Sequence, residues 1–333
     1  MSRLAPRFEE LRTLLDGAEA VVVAGHTKAD GDAVGAVAAV RRHLELEGRQ
    51  VTALLLEPLS PRYAFMQFAK RHEIYSPERH DRLVRQAAVF IMCDLSSLAR
   101  LGALEAPVRE GSGKTVCIDH HPCEDQGPAD VNLLDAEATA TGRIVWDYIQ
   151  HVEGRIDREI AESVFVSVST DTGWFRYSNT DAEVMRLGAD LAAYGLDLPA
   201  MYRRIYQSNS TAMLRLLGHA TRSLHAELDG QFVWSVIRHA CVKDLEVERI
   251  DADPILDVLR SGEQARVVAL FTELPDGSIS VSLRSRGPDV NTIARRFGGG
   301  GHAYAAGMTL EADQAETRMR ALIADIRTAL RAG

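Results

Sequence analysis

The stretch VVVAGHTKADGDAVGAVAAV, residues 21–40, sets one imidazole and two carboxylates, His26, Asp30 and Asp32, between two apolar runs. Further along, Asp94 follows AVFIMC, Asp119, His120 and His121 follow TVCI, and Asp171 follows VFVSVST. Each has a simple reading alone. Asp32 could be the N-cap of the helix after it, Asp94 before Leu-Ser-Ser a second cap, and Asp171 before Thr-Gly a turn residue. The whole set is harder to explain by capping. Carboxylates about 4 Å apart repel by roughly 1 kcal/mol in water and several times that at an effective dielectric near 20. Asp30, Asp32, Asp94 and Asp171 therefore call for positive charge, and two divalent cations would balance four carboxylates. Carboxylate and imidazole donors without thiolate favour Mn²⁺ or Mg²⁺ over structural zinc. Two such ions about 3.5–4 Å apart suit phosphoester hydrolysis, because they acidify a bridging water and steady the oxygens of an in-line displacement.

The elements that must bring these groups together are readable in outline. Residues 7–17 form a short helix. AVVVAGH (20–26), VTALLLE (51–57), AAVFIMCD (87–94), KTVCIDHH (114–121) and ESVFVSVSTD (162–171) read as strands, apolar on both faces as in a buried parallel sheet. Residues 33–48 read as a helix ending at Gly48. Strand and helix alternate, which predicts an α/β domain with a doubly wound, mainly parallel sheet. Ligands bind at the carboxyl ends of strands in such sheets. On this reading four strands end in an acid or imidazole, at one rim. Gly31 and Gly35 allow a tight turn and close packing there.

The pattern changes near residue 200. Residues 211–228 read as a connecting helix, 230–239 as a strand, 242–261 as helical, and 265–286 as a hairpin turning at Pro-Asp-Gly. The helical stretch DVNTIARRF, the run GGGGH, the strand AAGMTLEA and a final helix over 313–331 complete a smaller α+β domain. The expected division is a metal-binding domain over 1–200, a helical linker over 201–228 and a second domain over 229–333. The boundary itself falls between 190 and 225.

With 333 residues, 46% of them hydrophobic and 26% charged, the chain has the make-up of roughly two globular domains. A net charge of −9 argues against a general duplex-DNA binder, whose affinity rests on many Lys and Arg contacts. None of the four cysteines forms a C-x-x-C pair, and Cys93 and Cys117 sit in apolar runs as core residues. The start, MSRLAPRFEELRTLL, lacks a signal peptide's apolar centre, and no run approaches the ~20 apolar residues of a membrane span. The expectation is a cytoplasmic protein without a membrane partner.

One segment reverses the overall charge. RSRGPDVNTIARR sets Arg284, Arg286, Arg295 and Arg296 against Asp289 alone. The arginine fork suits phosphate, although Arg295 and Arg296 read equally well as a solvated helix face. Gly298 to Gly301 have no side chains, so a phosphate or base could approach their N–H groups.

These motifs resemble the DHH phosphoesterases. HTKADGDAVG is similar to their H-x-x-x-D-x-D-x-x-G first motif, CDLSS to the second, IDHHP to the third and STDTGWF to the fourth. VSLRSRGPDVNTIARRFGGGGHAYAAG resembles the DHHA1 substrate-binding domain. Ala36 departs from the pattern, standing where a Ser often follows the motif glycine. The order and length of the two halves look most like the branch of oligoribonucleases (nanoRNases) that are also pAp phosphatases. The resemblance implies that His26 and Asp30 hold one Mn²⁺ and that Asp32, His120 and Asp171 hold the other, with Asp94 bridging. It implies that Asp119 orients His120 through its other ring nitrogen and that His121 faces the substrate and stabilises or protonates the leaving group. It further implies that Arg284 and His302 contact a terminal phosphate or nucleotide, joined by Arg286, Asn291, Gly299, Gly300 and Gly301. A cleft between the domains and a homodimer are also implied.

The expected enzyme is a hydrolase carrying two Mn²⁺, with Mg²⁺ as the alternative. Attack by a hydroxide bound to both metals would cut very short single-stranded RNA or DNA oligonucleotides to mononucleotides and remove the 3′-phosphate of 3′-phosphoadenosine 5′-phosphate (pAp). Two alternatives stand beside it: a phosphodiesterase for cyclic dinucleotides or their linear products, and a non-catalytic nucleic-acid-binding scaffold. A pyrophosphatase is disfavoured by the G-G-G-H element.

Overall fold

The computed structural model describes residues 3–123, 127–247 and 250–332. The chain divides into two compact units, Met1–Gln207 and Ser208–Gly333.

The first unit runs α1 (Ala5–Asp16), β1 (Ala20–Ala24), α2 (Gly31–Leu46), β2 (Gln50–Leu55), β3 (Glu73–Ile74), α3 (Pro77–Gln86), β4 (Val89–Cys93), α4 (Glu105–Arg109), β5 (Lys114–Asp119), β6 (Val131–Leu134), α5 (Thr141–His151), α6 (Arg158–Asp171), α7 (Ala182–Ala192) and α8 (Leu198–Tyr206). Its six strands pair in the order β3-β2-β1-β4-β5-β6, every pair parallel. Strand order reverses between β1 and β4, the place where an open α/β sheet presents its crevice. Apolar side chains leave both faces of the sheet. Val21, Val23 and Ile91 join one core with α1, α2, α5 and α6, and Val22, Phe90 and Met92 join another with α3 and α4. Cys93 and Cys117 are buried in these two cores.

One expected strand is a helix. Residues 162–171 lie in α6, capped by Asp157, whose carboxylate accepts from Ile160 N at 3.0 Å. The Val/Ser alternation imitates a strand period. The same residues also place Ser163, Ser167 and Thr170 along one helical face. That face meets α2 so closely that a Cβ on Gly35 would lie 2.4 Å from Ser163 O and 2.7 Å from Ser167 N, and one on Gly31 would lie 2.3 Å from Thr170 Oγ1. Packing this tight is available only to small residues. It brings the last residue of α6, Asp171, to the first turn of α2.

The second unit runs α9 (Thr211–Arg222), β7 (His225–Glu227), β8 (Phe232–Ile237), α10 (His239–Asp244), α11 (Asp253–Arg260), β9 (Val267–Glu273), β10 (Ile279–Ser285), α12 (Val290–Arg296), β11 (Gly300–His302), β12 (Ala305–Leu310) and α13 (Ala315–Ala332). Its sheet is mixed, in the order β11-β12-β10-β9-β8-β7, with only β8 and β9 parallel. β9 is apolar on both faces and β10 alternates. Val267 and Phe271 pack with α12 and α13, whereas Val268 and Leu270 pack with α9 and α11. No helix among the described residues is long and apolar enough to cross a membrane.

Candidate metal centre

Three elements of the parallel sheet deliver acids and imidazoles to one end. His26 follows β1, Asp94 follows β4, and Asp119 closes β5 ahead of His120 and His121. β1, β4 and β5 are neighbours, so these residues meet beside the switch point. Asp94 N donates to Ile118 O at 2.9 Å, extending the ladder, and then turns with φ +64°. A left-handed aspartate is uncommon, and such conformations cluster at functional sites. The helices supply the rest. Asp30 caps α2, accepting from Asp32 N at 3.0 Å and Ala33 N at 3.2 Å, Asp32 lies in its first turn, and Asp171 ends α6.

The groups converge in three overlapping sets: His26, Asp30 and Asp94; Asp32, His120 and Asp171; and Asp94, His120 and His121. Within each set one donor atom per residue lies within 4.8 Å of the others. Asp94 is common to two sets by opposite oxygens: Oδ2 is 3.3 Å from His26 Nε2, and Oδ1 is 3.8 Å from His120 Nε2. His120 Nε2 also lies 3.4 Å from Asp32 Oδ2 and 3.8 Å from Asp171 Oδ2.

Backbone and hydroxyl donors brace this cluster. Asp32 accepts from Thr141 N at 2.8 Å, from Gly142 N at 3.2 Å and from Ser167 Oγ. Thr141 Oγ1 donates to Asp94 Oδ1 at 3.1 Å. Asn179 Nδ2 donates to Asp171 O at 3.2 Å. The start of α5 therefore acts as a bracket for two carboxylates. Thr141, Ser167 and Asn179 were not singled out from sequence. The apolar spacing Ile144, Val145, Tyr148, Ile149 after Thr-Gly was the available sign that a helix begins there.

The role of Asp119 differs from the expected one. Its Oδ1 accepts from His121 Nδ1 at 2.6 Å and from His121 N at 3.1 Å, whereas His120 Nδ1 faces Ala138 O at 3.2 Å. Asp119 orients His121, and a backbone carbonyl orients His120.

The crowded carboxylates favour bound positive charge, whether protons or cations. Burial, and then Asp32 and Asp30, push the Asp94 carboxyl well above its ordinary range. Burial with Asp32 and Asp30 pushes Asp171 up to about 8, against the opposing pull of His120. Burial disfavours charge on His120, but Asp32, Asp171, Asp94 and Asp119 outweigh it and hold its pKa at about 9. Asp119 is buried too, yet its hydrogen bonds from His121 keep its pKa below the usual value. His26 Nε2 is buried without a hydrogen-bond partner while facing Asp94. Oxygen and imidazole donors around a shared, buried carboxylate fit hard divalent cations.

The second unit carries the remaining candidates. Arg284, on β10, donates to Asp253 Oδ1 at 2.8 Å and to Leu283 O at 3.0 Å. Arg286 is exposed, and Asn291 Oδ1 is buried without a partner. Arg295 and Arg296 are exposed on α12, and Arg296 pairs with Asp325 at 2.8 Å. Gly299 and Gly301 are explained by the fold. A Cβ on Gly299 would lie 2.3 Å from Gly307 O, and one on Gly301, at φ +147°, would lie 2.3 Å from Ala305 O. At those two positions β12 fills the direction a side chain would take. Gly300 is open, with Asn291 Oδ1 4.0 Å from where its Cβ would be, and so is Gly298, with nothing within 4 Å. His302 closes β11 by its backbone, and its side chain lies outside the described residues.

Residues 20–168 match the DHH family, N-terminal domain, and residues 230–331 match the DHHA1 domain. The chain is 30% identical to the bifunctional oligoribonuclease and PAP phosphatase of Thermus thermophilus, over 94% of each chain. It is 23% identical to the Bacillus subtilis protein of that name, covering 93% of this chain and 94% of that one. An exopolyphosphatase-related protein from Bacteroides fragilis shares the fold with a TM-score of 0.90 at 21% identity, covering 99% of this chain and all of that one.

Proposed function

Because this chain belongs to the DHH family, with a DHHA1 domain in its second unit, we propose that it is a Mn²⁺-dependent enzyme that hydrolyses very short oligonucleotides to mononucleotides and removes the 3′-phosphate of pAp. The chain is a hydrolase of a metal-dependent family. The observation that carries the reading is the overlap of the donor sets: Asp94 is common to the His26–Asp30 set and the His120–His121 set, and His120 is common to that set and the Asp32–Asp171 set. His26 and Asp30 would hold one cation, Asp32, His120 and Asp171 would hold the second, and Asp94 would serve both. Two divalent ions, when bound, supply Lewis-acid polarisation of phosphoryl oxygens and a lower pKa for coordinated water. The protein keeps those donors in place. Thr141, Gly142 and Ser167 fix Asp32, and Ala138 O fixes the His120 ring so that Nε2 faces the acids. Asp119, kept ionised, sets the tautomer of His121 and supports positive charge on it. His121 then gives a proton to the departing 3′ oxygen.

Arg284, Arg286, Asn291, Gly300 and His302 form the proposed nucleotide-binding set, and Arg284 exchanges Asp253 for a substrate phosphate. Support comes from a relative named for both activities that matches nearly end to end. The dimer implied by the resemblance belongs to the same proposal and is read by sedimentation velocity.

The test is one time course with purified protein and Mn²⁺ on a 5′-phosphorylated dinucleotide, pAp and cyclic di-AMP. Mononucleotide release from the first two, with the cyclic compound intact, is expected. Preference for the cyclic compound moves the enzyme to cyclic-dinucleotide turnover, and silence on all three contradicts the reading. Equal rates on a dinucleotide and a long single strand contradict the preference for short substrates.

A further inference from the structure

The acids of the first unit have one arginine beside them that neither the motifs nor the donor sets include. Arg100 sits in the short 3-10 segment Leu98–Leu104 that follows Asp94. Its carbonyl accepts from Thr27 N at 2.9 Å, the residue after His26. Its guanidinium Nη1 approaches Asp94 O at 3.5 Å. Arg100 is thus joined by backbone to the His26 loop and by side chain to the Asp94 turn. The segment also passes close over that loop. Gly102, at φ +53°, lies where a Cβ would be 2.9 Å from Thr27 Cγ2.

The charge of Arg100 is not spent on the cluster. Among the described residues it makes no ion pair, although Asp94 is adjacent in space, and its one side-chain hydrogen bond, at 3.5 Å, is long and goes to a backbone carbonyl. A half-buried guanidinium with most of its donors unused, at the rim of an acidic cluster, is poorly explained as structural neutralisation. It is well placed for an anion that the cluster itself would repel. A phosphoryl group has more oxygens than cations can satisfy, and the arginine fork donates two parallel hydrogen bonds to such a group.

We infer that Arg100 is a catalytic residue that binds the reacting phosphoryl group from the first unit, donating to its non-bridging oxygens. This rests on the phosphoesterase reading of the same centre. Donors aimed at a phosphoryl group act most strongly as its charge redistributes in the transition state, so turnover suffers more than binding when one is lost.

The experiment uses the full chain loaded with Mn²⁺ and compares wild type with Arg100→Gln, Arg100→Lys and Arg109→Gln. The last removes the same charge from an exposed arginine on α4 that pairs with Glu105. Calorimetry reads Mn²⁺ and AMP binding, and hydrolysis of the 5′-phosphorylated dinucleotide reads turnover. Arg100→Gln is expected to keep Mn²⁺ affinity within about twofold, to weaken AMP at least about tenfold, and to lower kcat by about 10²–10³-fold. Arg100→Lys keeps the charge without the fork and should fall between, and Arg109→Gln should match wild type. If Arg100→Gln does not fold, Arg100→Lys carries the comparison, with a loss in AMP affinity expected. Unchanged AMP affinity and turnover in the folded variants overturn the inference, as does loss of Mn²⁺ affinity in step with AMP. AMP binding is read independently of turnover, so an enzyme silent on the dinucleotide defeats the substrate reading without deciding the role of Arg100.

Discussion

The acidic cluster of the first unit and the arginine–glycine face of the second are held in opposite ways. Asp32 is 2% exposed and meets two backbone N–H groups, a serine hydroxyl and an imidazole. Arg284 has 27% of its side chain exposed and meets one carboxylate, Asp253, itself 63% exposed. Leaving a buried polar partner unmatched costs about 1–3 kcal/mol, whereas an exposed ion pair contributes about 0–1 kcal/mol. The first unit therefore fixes its donors before any cation or substrate arrives. The second can exchange partners at little cost, as recognition of an incoming anion requires.

Four changes would break or sharpen this contrast, beginning with the largest expected effect. Asp94→Asn should lower kcat by at least about 10³-fold, roughly 4 kcal/mol, and weaken Mn²⁺ binding. Burial already drives the metal-free Asp94 carboxyl toward its neutral form, so thermal melting in EDTA should find the variant at least as stable as wild type. A large fall in melting temperature would show that the carboxylate is needed by the fold and not by cations.

Gly35→Ala should cost about 1–3 kcal/mol of stability, because its Cβ would lie 2.4 Å from Ser163 O. Mn²⁺ affinity should fall with it, since Gly35 sets the approach of α2 to α6 and hence of Asp32 to Asp171. Chemical denaturation followed by Mn²⁺ titration reads both.

Arg284→Gln should raise KM for a short oligonucleotide about tenfold, near 1.4 kcal/mol, with kcat little changed, and denaturation midpoints should not move. A kcat loss matching that of Asp94→Asn would erase the distinction between the two regions.

The smallest effect is on pH dependence. The folded His120 pKa, about 9, exceeds the ordinary 6.5, so its contribution to the metal-free protein is full below about 6.5 and lost as pH rises through 9. Asp171, raised from 3.8 to about 8, also favours the protonated folded state, so stability falls as pH rises between those values. Cations require both groups deprotonated, so Mn²⁺ affinity should rise over the window from about pH 6.5 to 9. Melting temperatures in EDTA should therefore fall as pH rises through that window, whereas saturating Mn²⁺ should flatten the dependence.

Much of the first unit was readable because the residues closing β1, β4 and β5 each follow an unmistakable apolar run. Asp171 was found for a wrong reason. VFVSVS satisfies a strand period and a helix face at once, and only packing against Gly31 and Gly35 decides for the helix. Thr141 and Ser167 escaped notice because their contribution is a donor aimed at a carboxylate distant in sequence, and residue type alone does not reveal that. The resemblance paired Asp119 with His120, and residue type alone does not reveal that His121 Nδ1 is the nitrogen that reaches its carboxylate. In the second unit, the glycine run looked like room for a ligand, yet two of its members are required by β12 itself.

Calorimetric titration of the metal-free full chain with Mn²⁺, for wild type and Asp94→Asn, tests the central claim most directly. The account predicts two ions per wild-type chain and disturbance of both in the variant, because the proposed arrangement gives the Asp94 carboxylate to both cations. One ion, none, or two ions bound equally well without the Asp94 carboxylate would contradict it.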